Sequence, residues 1–549
     1  MEKTDADGPE PTAKDSNAND GDTNIDSKGE KATTVDGEIR ADGTGREASG
    51  FVEYGIDDRP PLRESILLGV QHYLTMVGAN IAVPLILAGA MGMPDSVAAR
   101  FVGTYFVVSG IATLLQTTIG NRYPIVQGAP FSMLAPALAI VAVAGSDWRT
   151  SLLFLQGAVI AAALTEVAVG YLGIVGRVRK YLSPVVIAPT IALIGLSLFD
   201  APQVTTATQD WWLLGLTVGL ILLFSQYLDS NRLFRLFPVL LGVVGAWVVA
   251  SVLSVVGIYR PDAPGYVDLG AVAAAPALVP IYPLQWGIPR FELAFAVGMA
   301  AGVAASIIES VGDYHAVARL SGLGAPSEKR ITHGIGMEGL MNVFSGLMGT
   351  SGSTSYSENV GAIGLTGVAS RYVVQVGAAC MLVAGYVGYV GGLVVTIPDP
   401  IVGGLFIAMF GQIVAVGLSN LEYVDLGASR NVFVVGFSLF VGLAMPAYMA
   451  NLGAENGAGA LQVGLAGVPI VGSALGTPIV ADTLYLIGGT GMAVGGLTAL
   501  VLDNTISGTD EQRGIAAWKR VGERNGEFES ALERLRGRGE ESSTPESAD

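Results

Sequence analysis

The chain of 549 residues holds a single cysteine, three histidines and only 14% charged residues. Cys380 can close no disulfide within the chain, so cysteine usage says nothing of the redox compartment. Three scattered histidines and one cysteine give no recognisable zinc site. No Gly-x-x-x-x-Gly-Lys-Ser/Thr stretch grips phosphate, so the chain itself carries no ATPase machinery. Nor does a nucleophile–base set or metal cluster emerge, which leaves a membrane enzyme a weak alternative. No cofactor and no nucleic-acid partner are expected. The start has no basic segment followed by an apolar one, so no cleaved signal peptide is expected. A soluble protein carries about a quarter charged residues to cover its surface; that class is excluded here.

What is present is apolar. Hydrophobic residues make up 51% of the chain, and mean hydropathy is +0.53. The 74 glycines have no period of three and sit inside apolar runs, where small residues let helices approach closely in lipid. Net charge is −17, unevenly placed. Residues 1–50 and 508–549 are polar and acidic, and the first of these tails is expected to be disordered. WKRVGERNGEFESALERLRGRGEE in the second reads as a short amphipathic helix.

A span needs about 20 mainly apolar residues. Segments are expected near 65–90, 98–119, 130–145, 151–174, 184–200, 211–228 and 236–258. After a polar stretch come 291–314, 332–349, 359–369, 371–396, 401–418, 430–448 and 480–502. That makes an all-α polytopic membrane protein with fourteen segments, and 455–478 reads as a further partial or re-entrant piece. Arg122, Arg177, Arg179, Lys180, Arg232, Arg235, Arg319, Lys329, Arg330, Arg371 and Arg430 follow even-numbered segments. Arg100, Arg260 and Arg290 are the exceptions. This bias puts both termini in the cytoplasm. Seven crossings followed by seven more invert the second half relative to the first, the arrangement transporters use to make two exchangeable states.

The third member of each half is interrupted: RYPIVQGAPFSMLAP (122–136) and GTSGSTSYSENVGAIGLTG (349–367) are poor continuous helices. Such backbone survives at membrane depth only where protein or an aqueous cavity meets its amides and carbonyls. A short extended piece leading into a half-helix satisfies this, and aims amide donors and a positive helix end at a solute. The two interruptions are expected to face each other across a binding site. The bland alternative is ordinary loops with misplaced boundaries.

Ionisable groups inside the bilayer are costly and mark cavities or partners. Glu309 and Asp313 are four apart and share a helix face, suited to a proton or a cation. Glu358 opens the second half-helix and Glu338 lies within segment nine. Paired carboxylates accept hydrogen bonds and can clamp a planar ring with several N–H edges, whereas they repel an anion. Phe131, beside the first interruption, is placed to stack on a flat ring or to pack in the core. Gln71 and His72 in segment one imply hydrogen-bonded partners. His315 and His333 lie near span ends and read as interfacial.

ESVGDYHAVARLSG (309–322), the run 336–371 and IPDPIVGGLFIAMFGQIVAVGLSNLEYVDLGASRN (397–431) closely resemble the nucleobase–ascorbate transporter family, of the xanthine/uracil permease type. Its signature is matched by Glu358-Asn359-Val360-Gly361, four free residues and Thr366-Gly367. Gln71-His72 and LDNTISGTDEQRG (502–514) also fit, and the resemblance covers about residues 60–518. It implies a core domain (61–183 and 291–396), a gate domain (184–258 and 397–507) that carries a homodimer contact, an extracellular connection at 259–290, and cytoplasmic tails at 1–60 and 508–549.

The resemblance further implies that Glu309 and Glu358 hydrogen-bond a nucleobase, with Phe131, Ala129, Pro130 and Ser357 completing the pocket. Asp313 and Glu338 match acidic positions connected with cation coupling or site architecture, with His72, Gln71, Asn359 and Thr366 in supporting places. Uracil-specific bacterial members can carry histidine where Asp313 stands, which departs from their proton mechanism. The expectation is therefore symport of uracil or a xanthine-type purine with H+ or Na+ (the latter near Asp313) through a cell membrane. The alternatives are an inorganic anion transporter on the related inverted fold and an ascorbate-type substrate.

Overall fold

A computed structural model of the chain describes residues 52–145, 147–175, 181–199, 201–206, 209–228, 230–231, 233–234, 237–453, 457–516, 528–530 and 533–534. Residues 1–51 lie outside this set. So do Arg177, Arg179, Lys180, Arg232, Arg235, most of the C-terminal amphipathic stretch, and the side chains of Thr75, Ala79, Pro202, Glu358 and Leu365.

The apolar runs fold into helices: α1 (Leu62–Met91), α2 (Asp95–Thr118), α3 (Leu134–Ala144), α4 (Trp148–Tyr171), α5 (Pro184–Leu196), α6 (Trp211–Leu222), α7 (Pro238–Val255), α8 (Leu293–Leu320), α9 (Glu328–Met348), α10 (Ser357–Thr366), α11 (Arg371–Tyr386), α12 (Asp399–Ser419), α13 (Ser429–Asn451), α14 (Pro478–Gly488) and α15 (Gly491–Thr505). Shorter helices lie at Gly388–Val395 and Gly457–Ala466. Among the described residues, α2, α4, α7, α8, α12 and α13 are each long and apolar enough to cross a bilayer. The number is up to eight when the bent helix α1 and the pair α14–α15, whose two helices meet at 92°, are each counted as one span.

Other segments expected from hydropathy fall on shorter helices, such as α3, α5 and α10 with 11, 13 and 10 residues. Each falls short of the roughly 20 residues that a full crossing takes. Helix α9 has the length but carries Glu338 and Asn342 buried along its face. The bundle is apolar outside: Leu67, Phe440 and Val463 are at least 70% exposed. Patches of that kind on a spanning helix face lipid rather than water.

Two sets of helices pack closely. In one, α9 lies along α4, and α11 lies along α1 and α2. In the other, α12 lies along α5 and α6, and α15 along α5 and α13. Glycine sets the tightest approach: a Cβ on Gly339 of α9 would fall 2.6 Å from the amide nitrogen of Val167 in α4. At such a contact, lipid supplies no hydrophobic drive, so close van der Waals packing does the holding.

Several of the described basic residues lie close together. Arg371 pairs with Asp57 at 2.7 Å, and Arg122 lies 3.9 Å from the same carboxylate. Burial, with Arg371 and Arg534 nearby, lowers the Arg122 guanidinium to about 10. Arg100, near the start of α2, sits apart from these, against Trp286 and Gln285.

The chain after α15 is anchored by side-chain contacts. Gln512 O accepts from Asn431 Nδ2 at 2.8 Å, and Arg513 pairs with Asp503 at 2.7 Å. Further on, Phe528 is buried against Arg330, whose guanidinium lies 4.6 Å from the ring centre. Arg534 donates to Thr118 O at 3.0 Å, and Lys329 pairs with Glu533 at 2.6 Å. Lys329 and the N–H and hydroxyl of Ser530 hold Glu533 down at about 2. A carboxyl held below its ordinary value keeps this contact above about pH 4.5 and loses it as pH falls toward 2. Single reversals Lys329→Glu and Glu533→Lys are expected to sharpen the spectrum of a nitroxide at exposed position 529, and the double swap to broaden it again. Unchanged spectra in both singles would show that the contacts of Phe528 and Arg534 suffice to hold the segment.

Candidate functional site

The two interrupted segments meet as an antiparallel pair, β1 (Gln127–Gly128) and β2 (Thr354–Ser355), with Gln127 opposite Ser355 and Gly128 opposite Thr354. Each leads into a half-helix, α3 and α10. Gly128 is required by crowding, since a Cβ there would fall 1.9 Å from the Tyr356 ring. Tyr356 OH donates to Ala129 O at 2.6 Å, and its N–H donates to Val126 O at 3.1 Å. The N–H of Gln127 donates to Thr113 Oγ1 at 2.8 Å. Ser109 Oγ donates to the Gln127 carbonyl. The backbone groups of this crossing are thus met by α2 and by the partner strand, as membrane depth demands.

Asn359 binds the crossing to α1. Its Oδ1 accepts from Val126 N at 3.0 Å, and its Nδ2 lies 2.9 Å from His72 Nδ1. Thr366 Oγ1 donates to Ala362 O and accepts from Val368 N, finishing α10. Both residues hold architecture in this geometry. Gln71, one position before His72, is buried without lining the cavity.

One cavity opens where the two helix sets face each other. It is lined by Phe131, Glu309, Thr354, Tyr356 and Ser357 on one side and by Ile191, Gln412, Ile413 and Val416 on the other. The empty space between these side chains, including its open mouth, is about 360 Å³. Phe131 closes one wall, edge-on to Phe410 of α12 with ring centres 5.6 Å apart. The amide of Ala129 donates to Asn80 Oδ1 at 3.0 Å, and Pro130 has no N–H to offer. Of the positions expected in the pocket, Phe131 and Ser357 line the cavity, whereas Ala129 and Pro130 do not.

Helix α8 places Ser306, Glu309, Ser310 and Asp313 at i, i+3, i+4 and i+7, one continuous face toward β2 and α10. Asp313 accepts from Ser355 Oγ at 2.7 Å and Ser357 Oγ at 2.6 Å. Glu338, brought in by α9, accepts from Ser306 Oγ at 2.9 Å, Ser310 Oγ at 2.8 Å, Thr354 Oγ1 at 2.8 Å and Tyr314 OH at 3.3 Å. A hydroxyl has one proton to give. Once Ser357 and Thr354 have committed theirs to buried carboxylates, only lone pairs remain to face the cavity. Together with the Glu309 carboxylate, this makes an acceptor-rich wall beside an aromatic one, with no lysine, arginine or histidine among the described lining residues.

Sequence reasoning had placed Glu309, Phe131 and Ser357 here, and all three line the cavity. Glu358 follows Ser357 in the first turn of α10, while its side chain lies outside the described residues. Gln412 and Glu166 had not been singled out. Each is a polar residue inside an apolar run, a signal that was available. Ser306 and Ser310 were invisible because a serine in a membrane helix is common and its partner decides its role.

A model described as "Permease family" matches residues 63–450. Solute carrier family 23 member 2 of Homo sapiens is 41% identical over 522 residues, covering 86% of this chain and 77% of that protein. Nucleobase-ascorbate transporter 12 of Arabidopsis thaliana is 34% identical over 514 residues, covering 85% of this chain and 72% of that protein. Among solved structures, the transmembrane domain of a cyanobacterium bicarbonate transporter aligns with a TM-score of 0.50 at 19% identity, covering 71% of this chain and 98% of that one; this likeness concerns the fold alone. With the interrupted pair, the cavity and the matched residues taken together, the chain belongs to the permease family that includes the nucleobase–ascorbate transporters, integral membrane carriers rather than enzymes.

Proposed function

We propose that this carrier imports a nucleobase, uracil or an oxidised purine of the xanthine type, together with H+ or Na+. The observation that carries this reading is the cavity wall of committed hydroxyls and a carboxylate, Glu309, beside Phe131. A planar ring with several N–H edges supplies the donors such a wall lacks, and its face suits an aromatic neighbour. Glu309 and Glu358 hydrogen-bond the base, Phe131 stacks on it, and a cation loads near Asp313 and Glu338.

Alternating access follows from the position of the cavity between the two helix sets. The core, α1–α4 with α8–α11, carries the base past a gate of α5–α7 with α12–α15. The packing of α9 on α4 and of α12 on α5 supports that division. Fourteen crossings in two inverted halves, cytoplasmic termini and a homodimer contact on the gate complete the proposed architecture. The clustering of Arg122, Arg371 and Lys329 supports the orientation.

A second reading, ascorbate, is favoured by the name of the Arabidopsis relative. Ascorbate is an anion at neutral pH, and a site with Glu309 and no basic residue among the described lining residues disfavours it unless Na+ offsets the charge. The same argument disfavours an inorganic anion. Uptake of radiolabelled uracil and xanthine into proteoliposomes, competed by a panel of bases and ascorbate under imposed H+ or Na+ gradients, tests the proposal. Competition by uracil or xanthine and by no anion is the expected result. Competition by ascorbate alone would overturn it.

A further inference from the structure

Glu166 lies in the last two turns of α4 and is not among the residues that line the cavity. It is fully buried, with 0% exposure. Its Oε2 accepts from Asn342 Nδ2 at 2.7 Å, and its Oε1 has no partner among the described residues. No ion pair among the described residues reaches it. The backbone beside it is fixed, because Gly339 brings α9 into contact with Val167.

The contrast with Glu338 is chemical. Four hydroxyls lie within hydrogen-bond reach of Glu338, the single protons of Ser306 and Ser310 being shared with Thr354 and Ser355, a setting that suits a charge better than one amide does. Glu166 collects one neutral amide in a buried helix interface, and an unpaired charge there costs several kcal/mol. Two buried acids on facing helices are thus given different tasks by their surroundings. The amide of Asn342 is held from its other end as well: its Oδ1 accepts from Ser353 N at 2.5 Å. Ser353 immediately precedes β2, whose Thr354 and Ser355 hydroxyls serve Glu338 and Asp313.

We infer that Glu166 is a proton-bearing positioning residue that orients the Asn342 amide, and through it sets the backbone of Ser353 and the aim of the Thr354 and Ser355 hydroxyls at the site. The proton stays on Glu166 through the transport cycle, so this acid takes no part in coupling. The titratable groups that face it are Glu338 from α9 and Tyr314 from α8. Helix α3 brings none, and His72 and Tyr73 of α1 turn to Asn359 and Thr113 instead.

The test rests partly on the nucleobase reading and is built to separate the two. In the full-length chain, Glu166→Gln keeps shape and neutrality, whereas Glu166→Leu and Asn342→Ala remove the contact. Hydrogen exchange of the peptide 350–357 is expected to match the natural chain in Glu166→Gln and to speed up about tenfold in the other two. With radiolabelled uracil or xanthine, Glu166→Gln is expected to keep KM within about twofold and an unshifted pH profile. Asn342→Ala is expected to raise KM about tenfold, with a smaller change in maximal rate. A shifted pH profile or lost uptake in Glu166→Gln, with exchange unchanged, makes Glu166 a coupling acid and overturns the inference. Unchanged exchange in Asn342→Ala also overturns it. Absence of uptake of either base by the natural chain would sink the substrate reading and leave the exchange result to decide the positioning role.

Discussion

Replacing Glu309 by Gln is expected to lower uptake of radiolabelled base by roughly 100-fold or more, with membrane insertion intact. Among the described lining residues Glu309 is the carboxylate, and the Ser357 and Thr354 hydroxyls beside it have their own protons taken by Asp313 and Glu338. Hydrogen bonds to a charged acceptor contribute about 1.5–3 kcal/mol each. Two of them, to adjacent N–H edges, amount to about 3–6 kcal/mol, or at least two powers of ten in affinity. Glutamine keeps the size of the side chain but loses the charge and turns one acceptor into a donor, facing a ring edge that also donates. Uptake at the natural rate in this variant would remove Glu309 from the binding site and, with it, the proposed function.

The largest expected effect on stability comes from Asp503→Ala. The Asp503 carboxylate is wholly buried between Arg430 Nη2 at 2.9 Å and Arg513 Nη2 at 2.7 Å, and also accepts from Ser183 Oγ at 2.7 Å. It therefore ties together the start of α5, the start of α13, the end of α15 and the chain that follows. Removing one partner of a buried pair leaves uncompensated charge and costs about 3–5 kcal/mol; here two guanidinium groups are left. A fall in melting temperature of about 5 °C or more in detergent is expected, with Asp503→Asn intermediate because it keeps one acceptor oxygen. Arg430 also donates to Ile506 O at 2.9 Å. A melting temperature equal to that of the natural chain would mean that such carbonyls suffice.

The positions of the helices were legible because hydropathy is a property of consecutive residues. So were the two interruptions: proline, glycine and serine in RYPIVQGAP and SGSTSYS break a helix wherever the rest of the chain goes. The spacing of Glu309 and Asp313 correctly predicted a shared face, since four residues span about one turn. Glu166 escaped attention within an otherwise apolar run, although a carboxylate at that depth is itself a signal. The place of Ala129, expected in the pocket, turned on Asn80, 49 positions away, which takes its amide and which no local pattern announces.

From its amino acids alone the chain was committed to the bilayer, to helices of given register, and to two broken crossings, because each of these follows from short-range composition and backbone sterics. Only the tertiary structure decided which hydroxyl gives its proton to which carboxylate, that Phe131 leans on Phe410, and that Gln412 shares a cavity with Glu309. A hydrogen bond forms between whatever groups the fold brings within about 3 Å. Asn359 and His72 lie 287 positions apart, and Ser183 and Asp503 lie 320 apart, distances along the chain over which local pattern carries no information about contact.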